Sequence, residues 1–400
     1  MTMESTRDFS ITGQESANFI RATGTIYSVG SFQVHLVDLF SLVFSVCAIA
    51  GISRWRANQA ATLGFLLLAA LITVGLLTSI IGEGLQAGTA EWRDWLVSIS
   101  AFGYASTRPR LWQTKDLRAF GWVGLFALCL LLFEVSKYGL SAGAGQTYQV
   151  GAEAINGRTI GPTAAFVMLI GGWLLALLPS QGRIGNFQRI ISGFCFAGVV
   201  IAQQRTMWIA LILSVLAWLV IQFIDQSRRT ALGVIIRLIP ELLLASVAAS
   251  LVIRALPALQ NSASNASNLD WRQRRWDLSL SAPRSIIEWL TGSSLGPSEA
   301  EILIKQIGIQ SAHSFYIASI ETVGLLGLFA ALTVVIGSFV VRLGTTYSHL
   351  SLTLLAAILA SGYSYDLQWV AYLYVAAFGV MNTTERQKQW VVATSVARIT

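Results

Sequence analysis

Residues 60–81 read AATLGFLLLAALITVGLLTSII, an uncharged apolar run from Ala60 to Ile81. A helix of about 20 such residues spans the hydrocarbon core of a bilayer, so this stretch predicts a membrane crossing. Comparable runs recur around 34–53, 95–106, 119–135, 160–179, 187–203, 206–224, 241–258, 313–340, 350–362 and 367–381. The third, at 95–106, is short for a crossing. The pattern predicts an all-α, polytopic transmembrane helix bundle of about 11–12 spans, the twelfth being the weakly apolar stretch Phe19–Phe32. It divides into a polar N-terminal segment 1–33, helices 1–8 over 34–258, a partly helical loop 259–312, helices 9–11 over 313–383 and a tail 384–400.

Composition agrees. The 400 residues are 54% hydrophobic and 12% charged, about half the charge of an ordinary soluble domain. The net charge of +7 raises nucleic acid as a partner, but a nucleic-acid binder gathers its basic residues on one face. Here they are dealt out to alternate loops, and nucleic acid is excluded as a partner. Cys47, Cys129 and Cys195 each sit inside an apolar run, where isolated thiols pack as small hydrophobes and suggest no metal. The first residues lack a signal peptide's order of basic start, apolar run and cleavage site.

The loop charges set an orientation. Arg54 and Arg56 follow the first run, Arg108, Arg110, Lys115 and Arg118 the third, Arg183 and Arg189 the fifth, Arg228 and Arg229 the seventh, and Arg342 the ninth. The positive-inside rule puts these loops and the C-terminal tail in the cytoplasm. The loop 259–312 then lies on the translocated side, although it carries Arg272, Arg274, Arg275, Arg284 and Lys305. Long loops cross regardless of charge. A basic outward loop therefore calls for an anionic ligand.

Four features share that side. Arg205 stands between two apolar runs, Arg272, Arg274 and Arg275 flank Trp276, His313 opens the ninth run, and Glu321 follows within it. Singly, each has a plain structural reading: a snorkelling arginine, a solvated helix face, an interfacial histidine, a helix-packing carboxylate. Together they suit phosphate chemistry. Guanidinium groups offer permanently charged, bidentate donors to phosphate oxygens and can stabilise a diphosphate leaving group. A histidine at a helix N-terminus is biased toward the neutral form, which can accept a proton from a hydroxyl. No acidic cluster on that side has metal-ligand spacing, so no metal or other cofactor is expected.

Ala312-His-Ser-Phe-Tyr-Ile-Ala-Ser-Ile-Glu321-Thr-Val-Gly324-Leu-Leu-Gly327 resembles the signature of the O-antigen ligase and polymerase superfamily. Gln204-Arg205-Thr-Met-Trp208 resembles the family's earlier arginine motif. Arg272, ahead of Trp276 and of Trp289-Leu-Thr-Gly-Ser-Ser-Leu-Gly296, resembles its outer-loop motif, and Asp38 in Leu36-Val-Asp-Leu39 also fits. Ser314 stands where the family commonly has Asn, and Gln204 where it commonly has Ser. The resemblance implies a C-type glycosyltransferase-like fold in the bacterial inner membrane, acting at the periplasmic face on an undecaprenyl-diphosphate-linked oligosaccharide. On it, His313, Arg205 and Arg272 are catalytic, with Arg275, Arg274, Trp276 and Glu321 at the substrate; Arg275 is the reserve for Arg272, and Glu321 positions the histidine's helix. The acceptor is a growing glycan, which makes the protein a polymerase of O-antigen or exopolysaccharide units, or lipid A-core, which makes it a ligase. Other polysaccharide-assembly proteins are implied partners beside the lipid bilayer. A flippase is the reading from another class, and would need broken or charged helices at midmembrane and a repeat relating two halves. A purely structural subunit leaves the basic loop unexplained.

Overall fold

The computed structural model describes residues 25–29, 32–108, 114–138, 147–150, 153–156, 162–178, 182–202, 204–226, 267–296, 314–340, 347–363, 371–372 and 374–379. The run 241–258 and the tail 384–400 lie outside them. In chain order the elements are β1 (Thr25–Val29), β2 (Phe32–His35), α1 (Leu36–Ala50), α2 (Gln59–Glu83), α3 (Leu85–Thr107), α4 (Thr114–Tyr138), β3 (Thr147–Val150) and β4 (Glu153–Asn156). There follow α5 (Pro162–Leu177), α6 (Gly182–Ile201), α7 (Arg205–Gln226), α8 (Ser267–Ser281), α9 (Ile286–Thr291), α10 (Phe315–Val340) and α11 (Ser348–Gly362).

The described chain is thus helical apart from two short antiparallel hairpins, β1–β2 and β3–β4. The all-α class stands, but the first hairpin corrects the twelfth span expected over Phe19–Phe32, since Thr25–Val29 is a strand. The first straddles the boundary drawn at residue 33, and α1 begins only at Leu36. Nine of the eleven apolar runs coincide with helices. Gln59–Gly82, Arg205–Gln222 and Phe315–Val340 are long and apolar enough to cross a membrane. The short third run is also corrected. It extends back to Leu85 because the polar first half of α3 is paired: Arg93 Nε donates to Asp38 Oδ1 at 2.7 Å and Trp92 Nε1 to Ser79 Oγ at 2.9 Å.

The chain forms two compact units. One comprises 23–117, 272–345 and 362–400, the other 1–22, 118–271 and 346–361. In the first, α2 packs on α10 and α3, and α1 on α3. Small residues permit the approach: a Cβ at Gly64 would stand 2.7 Å from the Ala330 carbonyl oxygen, a backbone-to-backbone contact typical of helices packed in lipid. Ser45 and Ser100 hydroxyls meet at 2.7 Å, further along both helices than the Asp38–Arg93 pair, so α1 and α3 run parallel. Asn58 accepts from Ala61 N at 2.9 Å and donates to Gly337 O at 2.7 Å, so one amide serves the start of α2 and the end of the antiparallel α10.

These contacts sort the unit's ends. The segment 51–58, carrying Arg54 and Arg56, lies beside the end of α3, where Arg56 N donates to Ser106 O at 2.9 Å. Arg54, Arg56, Arg108 and the end of α10 therefore share one end of the unit, as the loop charges require. The starts of α1, α3 and α10 and the end of α2 form the other.

The second unit is built around α5, in which every residue from Thr163 to Leu175 is buried. That burial suits a helix apolar on all faces. Glycines set its approach to α4: a Cβ at Gly171 would stand 2.8 Å from Gly124 Cα. Trp173 Nε1 donates to Ser214 Oγ of α7 at 2.9 Å. Replacing Gly171 with valine forces α4 and α5 apart and should destabilise the protein by about 1–3 kcal/mol, read as a lower melting temperature in detergent. An unchanged melting temperature would refute the close helix crossing.

Candidate functional site

In the first unit, the basic loop and the start of α10 are joined through a buried ion pair. α8 carries Arg272, Arg274, Arg275 and Trp276 over less than two turns, so they point in different directions. Arg274 is exposed and Arg272 half-buried. Arg275 is turned inward, its side chain only 3% exposed, against 19% for Glu321. Arg275 Nη1 donates to Glu321 Oε1 at 2.7 Å and Nη2 to Oε2 at 3.2 Å. The fork-on-fork geometry supplies a strong, directional pair.

Ser279, one turn along α8, completes the cluster. Its hydroxyl accepts from Arg275 Nη1 and lies within hydrogen-bond reach of Glu321 Oε1 and of the Arg275 carbonyl at 2.9 Å. Arg275 Nε is buried and has no hydrogen-bond partner among the described residues. Trp276 is buried and meets the Tyr363 ring edge-on at 5.2 Å.

Three residues beyond Glu321, α10 breaks. Gly324 has φ +69° and ψ −174°, a region effectively restricted to glycine. The turn after α9 fills the break. A Cβ at Gly324 would stand 2.3 Å from the Leu290 carbonyl carbon and oxygen, and one at Gly292 (φ +60°) 2.6 Å from Glu321 O and Gly324 N. The two glycines let two backbones touch. Ser293 and Ser294 hydroxyls each donate to Thr322 O at 3.3 Å, satisfying a carbonyl at the break. Thr78 of α2 donates to Ser294 O at 2.9 Å, fixing the turn to a third helix. Thus Thr291-Gly-Ser-Ser-Leu-Gly296 is a plug for a broken helix.

Arg284 is a loop cation that belongs to no motif in the sequence. Its guanidinium lies over the Trp289 ring, 5.0 Å from the centroid. Burial lowers its basicity from the ordinary arginine value and Arg275 opposes its charge further, while Glu321 and Glu288 favour it. The signal was available: Arg284 and Trp289 stand either side of the Ser285–Glu288 capping box, whose reciprocal bonds start α9.

Of the other expected residues, Arg205 is the first residue of α7 and half-buried, and belongs to the second unit. Gln204 before it starts the helix, its carbonyl accepting from Met207 N at 2.8 Å and Trp208 N at 3.1 Å. His313 lies outside the described residues. Phe315, just after it, is buried against Trp95 at 6.1 Å between ring centroids. Asp38 also accepts from His35 N at 2.8 Å, so it caps α1 while holding Arg93. Among the described residues no cluster of histidine, cysteine or carboxylate side chains could hold a metal.

Comparison with family models, curated proteins and solved structures gives no match.

Proposed function

We propose that this chain is a polytopic inner-membrane glycosyltransferase of about eleven crossings. It moves an oligosaccharide from undecaprenyl diphosphate to an acceptor hydroxyl at the periplasmic face. The observation that supports this most is the buried Arg275–Glu321 pair. Three stretches distant in sequence carry the resemblance to O-antigen ligases and polymerases: the arginine helix, the Trp289–Gly296 turn and the Glu321–Gly327 signature. In the folded unit they meet through Arg275–Glu321 and Gly292–Gly324. Glu321 orients the start of α10, and with it the residues following His313, by gripping α8.

In the proposed step the acceptor oxygen forms a bond to the anomeric carbon. The bond from that carbon to the diphosphate oxygen breaks, and the diphosphate leaves with the electron pair. Arg205 and Arg272 are assigned to the departing charge, where preorganised guanidinium donors are worth most. His313 is assigned the proton from the acceptor hydroxyl. Arg275, tied to Glu321, acts by positioning α8. The reaction type favoured is polymerisation of surface or exopolysaccharide repeat units, with ligation to lipid A-core as the alternative.

Arg205→Ala, Arg272→Ala and His313→Ala should each lower product in cells by about 100-fold or more while leaving expression and insertion normal. Glycan analysis of the deletion strain separates the reactions. Single repeat units on lipid A-core mark a lost polymerase, and polymer stranded on its lipid carrier marks a lost ligase. Full activity in all three variants overturns the proposal.

One observation favours a transporter: α10 is broken inside an apolar helix, as transporter helices often are. Its freed Thr322 carbonyl is taken by two serines rather than turned toward a cavity. A transporter would also leave the lipid-linked repeat unit on the cytoplasmic side in the deletion strain, which the same fractionation reads.

A further inference from the structure

α9 and the turn after it carry an apolar surface that the ion-pair network does not use. Ile286 is 80% exposed, Ile287 61% and Leu295 57%, and Leu290 is exposed beside them. On a helix of one and a half turns, that is a large apolar patch to leave in water.

The depth of this segment is fixed by what it touches. Its Gly292–Leu295 turn lies against the Glu321–Gly324 backbone of α10 and is bonded to Thr78 of α2. Both helices are long and apolar enough to cross a membrane. Gly324 lies about 14 Å along α10 from its first residue, and Thr78 about 29 Å along α2. A bilayer is about 40–45 Å thick with its headgroups, of which about 30 Å is hydrocarbon. Counted from either face, the turn therefore stands about 14 Å below the outer edge of one leaflet, about 7 Å inside its hydrocarbon. α2 and α10 expose Leu77, Ile81, Leu325, Leu326 and Phe329, so the apolar surface of α9 adjoins that of the crossing helices.

Two further features fit lipid as the occupant. Both ends of α9 are bonded within the segment, which lowers the cost of placing its backbone in lipid. Ser285 N donates to the Glu288 carboxylate at 2.6 Å, Trp289 N to Ser285 O at 3.0 Å, Gly292 N to Glu288 O and Thr291 Oγ1 to Ile287 O at 2.9 Å. Arg284 and Trp289 stack together, and an arginine with a tryptophan is the pairing that settles at headgroup level. Arg284 is only half-buried: its Nη1 is enclosed, and the accessible part of the side chain is left to meet a phosphate oxygen.

We infer that Ser285–Leu295 is seated in one leaflet of the bilayer. Ile286, Ile287, Leu290 and Leu295 lie among acyl chains, and Arg284 contacts a phospholipid headgroup phosphate. The inference rests on α2 and α10 crossing a membrane and is independent of the transferase chemistry.

Nitroxide accessibility tests it on the full chain. Cys47, Cys129 and Cys195 are replaced by alanine, and Ile286→Cys, Ile287→Cys, Leu290→Cys and Leu295→Cys are labelled singly. The proteins are reconstituted in vesicles of phosphatidylethanolamine and phosphatidylglycerol. Leu66→Cys and Phe329→Cys report lipid, and Gln273→Cys on α8 reports water. The four α9 labels should meet dissolved oxygen and exclude a nickel chelate, as Leu66→Cys and Phe329→Cys do. Labels behaving like Gln273→Cys, with the two lipid reporters intact, overturn the seat and leave the membrane reading standing. Lipid reporters open to nickel remove the membrane reading and the inference with it. In the Ile287→Cys background, Arg284→Glu should lower the oxygen-to-nickel ratio about fivefold, and Arg284→Lys should retain it. Equal ratios in those two variants overturn the phosphate contact.

Discussion

Gly324→Ala is expected to cost the protein about 3 kcal/mol or more, and with it most of the properly folded material. The native φ of +69° with ψ −174° already disfavours any side chain by about 1–3 kcal/mol. The new methyl carbon would also stand 2.3 Å from the Leu290 carbonyl. That neighbour is backbone, held by Ser293, Ser294 and Thr78, so it cannot swing aside as a flexible side chain would. Against a total stability of about 5–15 kcal/mol, this one methyl should shift melting by many degrees and broaden the elution profile in detergent. Gly82→Ala is the control. A Cβ there meets nothing within 4 Å, so its change should stay within about 0.5 kcal/mol. Similar melting temperatures for the two variants would contradict the plugged break.

The second large effect is at the ion pair. Glu321→Ala leaves the Arg275 guanidinium, 3% exposed, with its counter-ion removed. Breaking one side of a buried pair costs about 3–5 kcal/mol. Combining Glu321→Leu with Arg275→Met removes both charges and should restore most of that loss, because a buried pair contributes little net stability over an apolar replacement. A double-mutant cycle on melting should therefore show coupling of about 2 kcal/mol or more. Additive losses would mean that the two groups do not interact. The double variant also separates stability from chemistry. If Arg275 and Glu321 only position α8 and α10, it should retain part of the product yield; if a diphosphate needs Arg275 itself, it should fold and make none.

Much of the architecture was legible because long apolar helices write themselves plainly into composition. The apolar runs marked nine described helices, and arginines placed by charge bias marked one end of the first unit. The residues 95–106 misled because α3 is half polar. Arg93 and Trp92 look like loop residues until Asp38 and Ser79 are beside them. The hairpin at Thr25–His35 was equally hidden, since a strand pair of this size carries little periodicity to read.

The site divides the same way. Arg272, Arg274 and Arg275 are three cations on one short helix, and their order says nothing about which turns inward. Glu321 read alone was a packing carboxylate or a positioning one. In the structure it is the first of these with respect to Arg275, and so able to be the second with respect to α10. Arg284 counts in the sequence only as one more loop cation, because the ring it covers and the carboxylate that favours its charge, Trp289 and Glu321, lie on two different elements.

By itself the sequence determined which stretches are apolar enough to cross a membrane, the helices that follow from them and where the cations fall along the chain. These depend on side-chain polarity and on spacing along one helix, which the order of residues records. Only the tertiary structure decided that Arg275 is the arginine consumed by Glu321, 46 residues away. It alone showed that Gly324 breaks α10 and that Gly292 fills the gap. A positive φ and a backbone contact belong to two segments at once, and the chain of 34 glycines carries no mark of which two must touch.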